Sequence, residues 1–292
     1  MSYDMYLYGM ILRTNSFLLE GDYPEADTYA EIRKKYSLPG GETGTCATVL
    51  LGLGRSVKMD GTFMGKSTMP FIKKFYEGAP CDLSGLHLDE TFDGLEDNVL
   101  VAGNTRTPFG EFRKFYSDPV HRWNAPKAED IAGAKVAGID PYFREDSVRA
   151  AEMCREMGKP YVTIDCAYDS PMHRLSAVNV VSNEFYREHY KQEERDQVLQ
   201  KYMDASDGLT IFTLGAKEIR FGRKGGKIRS FEPYQVDVVS TLGAGDTFKA
   251  GCVYALWAGM DDLSTVRFAA ACAAVKGRMT ELVILFSLLR IT

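Results

Sequence analysis

No stretch of this chain is long and apolar enough to be expected to cross a bilayer. The longest apolar run, Leu282–Leu289, is eight residues with a serine inside, against the ~20 that a spanning helix needs. The first residues, Met1-Ser2-Tyr3-Asp4, carry no basic segment followed by an apolar core, so no secretory leader is expected. Positive charge is in short supply: 35 Lys and Arg against 40 Asp and Glu leave a net charge of −5, which does not suggest a nucleic-acid-binding surface. The six cysteines (Cys46, Cys81, Cys154, Cys166, Cys252, Cys272) include no C-x-x-C pair. That argues against a zinc site or a disulfide framework and fits a reducing, cytoplasmic setting. The four histidines, His87, His121, His173 and His189, show no metal-ligand spacing. Two common nucleotide motifs are also missing. Gly61–Ser67 ends in Gly-Lys-Ser but has three residues between its glycines instead of the four of a P-loop, so the backbone cradle would not close on a phosphate. Gly243-Ala244-Gly245 has Phe248 at the third glycine position of a dinucleotide fingerprint, and no early strand precedes it.

What is present is an ordinary globular composition, 45% hydrophobic and 26% charged over 292 residues, enough for one large α/β domain. Within it, Ser240-Thr241-Leu242-Gly243-Ala244-Gly245-Asp246-Thr247-Phe248 stands out. Two glycines flank an alanine, a carboxylate follows, and an apolar run to Trp257 begins behind it. This pattern predicts a tight turn opening a buried helix. The first turn of a helix leaves N–H groups unpaired, and the aligned peptide dipoles place partial positive charge there. Such a turn attracts an anion, most often a phosphate. A carboxylate gains nothing by facing that phosphate; it is better used to take the proton of an attacking hydroxyl. The alternative is an aspartate that merely complements the helix dipole.

Gly243-Ala244-Gly245-Asp246 resembles the C-terminal signature of the ribokinase-like (PfkB) family of carbohydrate kinases, D-T-x-G-A-G-D. Upstream, Gly40-Gly41-Glu42-Thr43-Gly44-Thr45-Cys46-Ala47 resembles that family's G-G-x-x-x-N-x-A signature. The two matches fall in the family's order. The resemblance implies an α/β fold, a three-layer sandwich with a mostly parallel central sheet and a small β-sheet lid, as one domain over 1–292. The lid is expected over about 13–38 and 86–112. It also implies ATP and Mg²⁺, a small-molecule sugar acceptor, and a homodimer formed through the lid, with neither nucleic acid nor membrane as partner.

Roles follow from the same resemblance. Asp246 is the expected general base, with the amides around Gly243, Ala244 and Gly245 as the anion hole. Gly40, Gly41 and Thr45 would meet the sugar; Thr45 stands where the family usually has Asn. Where the family has a sugar-gripping Asp after strand one, this chain has Thr14 and Asn15, and Asn15 is the candidate. Arg106, in the expected lid, would contact an acidic group or a phosphate, or else be a solvated arginine. Asn183, Thr213, Gly215 and Ala273 are expected beside the nucleotide. The family's N-x-x-E carboxylate falls at Tyr186 here, and Glu184, the metal candidate, or Glu188 would stand in; the alternative is a capped helix start at Ser182 or Asn183 with Glu184 in its first turn. Ser240 replaces the family's first Asp, which makes potassium activation less expected. Other acceptors stay open: a nucleoside, if the pocket is aromatic, or a keto-deoxy acid sugar, if two arginines cluster. A non-catalytic binding protein on the same fold is the remaining alternative. Met279–Thr292 resembles nothing in the family pattern.

Hydrophobic periodicity supports this organisation. It predicts strands at Tyr3–Met10, Val57–Asp60, Leu86–Glu90, Asn98–Gly103, Thr105–Phe112, Lys135–Ile139, Tyr161–Asp165, Ala177–Val181 and Gly208–Leu214. A hairpin is expected at Ile219–Arg223 and Lys227–Phe231. Helices are expected at Ala47–Leu53, Thr68–Tyr76, Ser147–Met157, Glu184–His189, Glu193–Met203, Ala244–Trp257 and Leu263–Lys276. Asp140, following a strand, would line the pocket or form a turn with Pro141.

Overall fold

A computed structural model describes residues 2–103, 105–215 and 217–279. Of the segment Met279–Thr292, which resembles nothing in the family pattern, only Met279 lies within the described residues. In chain order the first elements are β1 (Met5–Gly9), β2 (Leu12–Leu19), β3 (Ile32–Gly40), α1 (Gly41–Gly52), β4 (Val57–Gly61), α2 (Thr68–Phe75), β5 (Cys81–Asp82), β6 (Glu96–Ala102) and β7 (Thr105–Gly110). Then come α3 (Phe112–Ser117), α4 (Ala128–Ala132), β8 (Val136–Ile139), a 3-10 turn (Pro141–Phe143), α5 (Glu145–Glu156), β9 (Tyr161–Ile164), α6 (Pro171–Leu175) and β10 (Val178–Ser182). The last are α7 (Asn183–His189), α8 (Arg195–Ala205), β11 (Leu209–Thr213), β12 (Ile219–Gly222), β13 (Arg229–Phe231), α9 (Ala244–Trp257) and α10 (Asp262–Gly277).

The main sheet has nine strands in the order β13-β12-β11-β10-β9-β8-β1-β4-β5. From β11 to β5 every pairing is parallel; β12 and β13 are added antiparallel at one edge. Parallel strands are covered on both faces, so they read as continuous apolar runs, and every residue of β1 is buried. The two-residue side-chain period sorts those residues between the layers. Met5 and Leu7 pack with residues of α1, α2, α9 and α10, whereas Tyr6 and Tyr8 pack with residues of α5 on the other face. Helix α9 lies close to α10: a Cβ built on Gly251 would fall 2.6 Å from the Cα of Ala269. Phe248, 3% exposed, anchors the first turn of α9 in the core, so the position of that helix start is set by packing.

A second sheet of four strands, β3-β2-β6-β7, lies over one end of the first. Its β2–β3 and β6–β7 pairs are antiparallel, and β2–β6 is parallel, with Thr14 opposite Asp97. It spans 12–40 and 96–110. The expected strand at Leu86–Glu90 does not form: only Leu88 makes an isolated bridge, to Met64. The Met64 amide donates to the His87 carbonyl at 2.8 Å and the Asp89 amide to the Met64 carbonyl at 2.9 Å, so the segment pairs at a single residue and no further. The expected strand to Phe112 stops at Gly110, and α3 begins at Phe112. Leu18, Val99 and Val101 of this small sheet cluster with Tyr36 and Leu242, which brings the lid against the turn that precedes α9.

Candidate active site

A cleft of about 560 Å³ opens between the lid and the carboxyl ends of the main strands. Met10 after β1, Asp165 after β9 and Ser182 at the end of β10 line its floor, the position where open parallel sheets bind ligands.

One wall is the start of α9. Gly243 caps that helix with a left-handed backbone, φ 70°, a conformation that favours glycine. The Ala244 amide is used by the turn, donating to the Thr241 carbonyl at 3.2 Å, and the Leu242 amide donates to the Ser240 hydroxyl at 3.3 Å. The Thr247 amide returns to the Gly243 carbonyl at 2.9 Å. Among the described residues, the amides of Gly243, Gly245 and Asp246 donate to no other group. Of the expected anion-hole stretch, then, Leu242 and Ala244 are occupied and the two glycines are free. Gly243, Gly245 and Asp246 line the cleft; Ala244 does not. Thr45, buried in α1, joins them: a Cβ built on Gly243 would lie 3.4 Å from its Cγ2 and 3.9 Å from Asp246 Oδ2. Burial pushes the Asp246 carboxyl above its ordinary pKa, with Lys249 pulling it back most strongly and Asp140 pushing it further up.

The facing wall is the start of α1 together with the lid. Gly41 has φ 72°, and a Cβ there would fall 2.4 Å from the Met10 carbonyl oxygen. Gly40, Gly41 and Glu42 line the cleft. Glu42 Oε1 accepts from the Tyr142 hydroxyl at 2.7 Å, while its other oxygen has no partner among the described residues. Burial, then the Asp246 and Asp140 charges, push Glu42 up to about 8. From the lid come Thr14, Asp97 and Arg106. Asp97 is 8% exposed, and its Oδ1 has no partner among the described residues. Burial raises it to about 6, against the opposing effects of the Thr14 hydroxyl and the Arg106 guanidinium.

Asn15 does not face the cleft. Along β2, Leu12, Thr14, Ser16 and Leu18 share the buried face, so Asn15 points the other way. Its amide donates to Glu96 at 2.9 Å and its carbonyl accepts from Ser37 at 2.7 Å. The carboxylate on this wall comes instead from Asp97, across the strand pair.

At the far end, Asp165, Ser182, Glu184 and Glu188 line the cleft with Lys276 of α10. Asp165 accepts from the Ser182 amide at 2.7 Å and its hydroxyl at 3.0 Å, yet burial, Asp246 and Glu184 raise it to about 6. Burial, helped by Arg106, lowers Lys276 to about 8. Ser182 caps α7 by accepting from the Phe185 amide at 3.0 Å, so Glu184 does sit in a capped first turn, and it also faces the cleft. Asn183 is turned to Arg195 at 3.2 Å. Thr213 pairs in register with Ser182 and its hydroxyl approaches the Val181 carbonyl at 3.5 Å. Asn183, Thr213, Gly215 and Ala273 lie outside the cavity lining. Among the described residues no three His, Cys, Asp or Glu side chains gather as a metal cluster. Mg²⁺ is usually held by one or two carboxylates plus substrate phosphates, and Glu184 with Asp165 offers that hard-oxygen donor set.

Sequence reasoning missed Glu42, Asp97, Asp165 and Lys276. For Asp97 a signal existed: with Val99 and Val101 it forms the period-two buried face of β6, so it is a carboxylate in register with apolar side chains. Asp165 closes the strand expected at Tyr161–Asp165, and its left-handed backbone, φ 50°, is seen only in the structure.

A helix N-terminus with free amides, a carboxylate in its first turn and a small lid over the carboxyl ends of a parallel sheet together make a phosphotransferase site. A family model described as "pfkB family carbohydrate kinase" matches residues 111–278. The chain belongs to this family and is a kinase of it. It is 25% identical over 273 residues to a nucleoside kinase of Methanothermobacter thermautotrophicus, covering 87% of this chain and 82% of that one. Its fold resembles Arabidopsis thaliana ribokinase complexed with ribose and ATP, with a TM-score of 0.77 and 15% identity over the whole of both chains. It also resembles Burkholderia thailandensis nucleoside kinase in complex with inosine, with a TM-score of 0.71 and 16% identity, covering 95% of this chain and 92% of that one. Among the described residues no helix is long and apolar enough to cross a membrane.

Proposed function

We propose that this chain transfers the γ-phosphoryl group of ATP to a hydroxyl of a sugar, with Asp246 as general base. The observation that carries this reading is the helix start of α9, where the unpaired amides of Gly243, Gly245 and Asp246 adjoin the Asp246 carboxylate in a lidded cleft. The acceptor lies on the wall made by Gly40, Gly41, Thr45, Thr14, Asp97 and Arg106. Asp97 Oδ1, buried and without a partner among the described residues, accepts one of its hydroxyls. Asp246 takes the proton of the attacking hydroxyl, and the free amides hold the charge on the transferring oxygens. Glu184, with Asp165, would hold Mg²⁺, which when bound neutralises phosphate charge. Closure of the lid over the cleft excludes water as a competing acceptor.

A nucleoside acceptor is the second reading. Phe112 and Tyr142 line the cleft, and aromatic faces suit a base. Arg106 is the only arginine in the lining among the described residues, which gives no paired-arginine site for an acid sugar. Exposed Ile32 and Phe109 on the lid strands support pairing of lids between two copies; light scattering giving a monomer mass at micromolar protein would remove that part.

The test is ADP release across a panel of sugars, acid sugars and nucleosides, in wild type and Asp246→Asn. Acceptor-dependent turnover sustains the kinase reading, and the acceptor that gives it separates sugar from nucleoside. Binding of acceptor or ATP without any turnover would make the chain a non-catalytic member.

A further inference from the structure

Asp140 and Lys249 form a buried ion pair, with side chains 0% and 1% exposed, and neither lines the cleft. Asp140 follows β8. One of its oxygens takes the Lys249 ammonium. The other accepts from the Met10 amide at 2.9 Å and from the Thr43 hydroxyl at 2.8 Å. Met10 joins β1 to the lid strand β2, and Thr43 lies in the first turn of α1, one residue after Glu42. A single carboxylate therefore ties the lid hinge, α1 and α9 together. Lys249 stands three residues after Asp246 on α9, and residues at that spacing are neighbours on one helix face. A buried ion pair contributes little net stability compared with apolar groups of the same shape, so its place beneath the candidate base points to a role in setting charge.

We infer that Lys249, held by Asp140, is a positioning residue that keeps Asp246 ionised. The inference rests on the reading of Asp246 as the base. Asp246 is otherwise surrounded mostly by acids: Glu42 from α1, Asp97 from the lid and Asp165 from β9, with Asp140 behind Lys249. Arg106 is the other facing cation, and it belongs to the lid. Thr45 adds a hydroxyl. Burial disfavours the charged form of Lys249 too, and it is the Asp140 carboxylate that restores it. The pair thus gives Asp246 a counter-charge that does not depend on lid closure.

The test is carboxyl ¹³C NMR of aspartate-labelled full-length protein, with the Asp246 signal identified by its loss in Asp246→Asn. In Lys249→Met the Asp246 midpoint rises by at least about one pH unit, the usual effect of losing a nearby opposite charge. In Lys249→Arg, which keeps the charge, it stays near wild type. An unchanged midpoint in Lys249→Met overturns the inference. If that variant does not fold, Lys249→Met combined with Asp140→Asn leaves no unpaired buried ion; a smaller rise is expected there, and a midpoint at or below wild type overturns the inference. In turnover assays the acid limb of kcat/KM moves up with the midpoint, and Lys249→Met recovers as pH rises. A uniform loss at every pH marks a merely structural role and also overturns it. Absence of wild-type turnover would sink the proposed function while leaving the NMR result readable.

Discussion

The wall of the cleft formed by α9 comes from one continuous stretch, Ser240–Phe248, whereas the facing wall draws Thr14, Asp97 and Arg106 from three separate strands of the lid. The first wall depends on interactions within one helical turn: a left-handed glycine, unpaired amides and an aspartate at a fixed offset. The second depends on β2 pairing in parallel with β6, which sets Thr14 opposite Asp97. Parallel pairing needs a crossover, and here β3, α1, β4, α2 and β5 intervene. In the proposed mechanism, the groups that would hold charge are thus coded locally, and the groups that would choose the acceptor are assembled at long range. On that proposal the lid wall is the part that would change acceptor without disturbing the chemistry.

The sharpest way to break this division is at its two carboxylates. Asp246→Asn is expected to lower kcat by ~10²–10⁴-fold, the usual loss on removing a general base, with acceptor KM little changed. A single-turnover rate within a few-fold of wild type would remove Asp246 from the chemistry. Asp97→Asn is expected to act on the other side, raising acceptor KM by roughly tenfold to a hundredfold, as a charge-assisted hydrogen bond worth roughly 1.5–3 kcal/mol is lost. Equal kcat losses in both variants would show that the two walls do not divide the work as proposed.

The two glycine turns sharpen the same contrast. Gly41→Ala forces a left-handed residue, at roughly 1–2 kcal/mol, and also drives a Cβ to 2.4 Å from the Met10 carbonyl oxygen. Gly243→Ala meets nothing nearer than Thr45 Cγ2 at 3.4 Å. Denaturant melts should therefore rank Gly41→Ala as the less stable variant; the reverse order would mean that the α1 turn yields more readily than its packing implies. The smallest effect concerns pH. Glu42 lies at about 8 in the folded chain, raised above its ordinary value, so the folded state holds that proton more tightly than the unfolded state. The stability it contributes is full below about pH 4.5 and is lost as pH rises through about 8. Asp97 and Asp165, raised to about 6, act in the lower part of that window. Between pH 6 and 8 the unliganded protein should lose stability with a slope of up to about 1.4 kcal/mol per pH unit for one proton, and Glu42→Gln should flatten it. Parallel slopes in the two proteins would assign the dependence elsewhere.

How far the sequence could be read follows the same line. The strands β1, β4, β8 to β11, the β12–β13 hairpin and the long helices were legible, because buried parallel strands and amphipathic helices leave strong periodic patterns; α1, expected at Ala47–Leu53, starts earlier, at Gly41. Periodicity also found β6 and β7, but only the family resemblance marked them as a lid, and the lid's second half was expected from Leu86, ten residues before β6 begins at Glu96. Asn15 and Thr14 are neighbours in sequence, yet only the register of β2 decides which of them faces the cleft.

By itself the sequence determined the helix start at Gly243–Asp246, the Gly40-Gly41 turn and the succession of strands and helices, since each rests on backbone conformations and apolar periods that reach across a few residues. Only the tertiary structure decided that Asp97 would supply the lid carboxylate, that Asp165 and Lys276 would meet in the cleft, and that Asp140 would bind Lys249 beneath Asp246. Those relations join residues far apart in the chain, and they are set by strand register and helix packing, where moving one side chain to the opposite face takes a shift of a single residue.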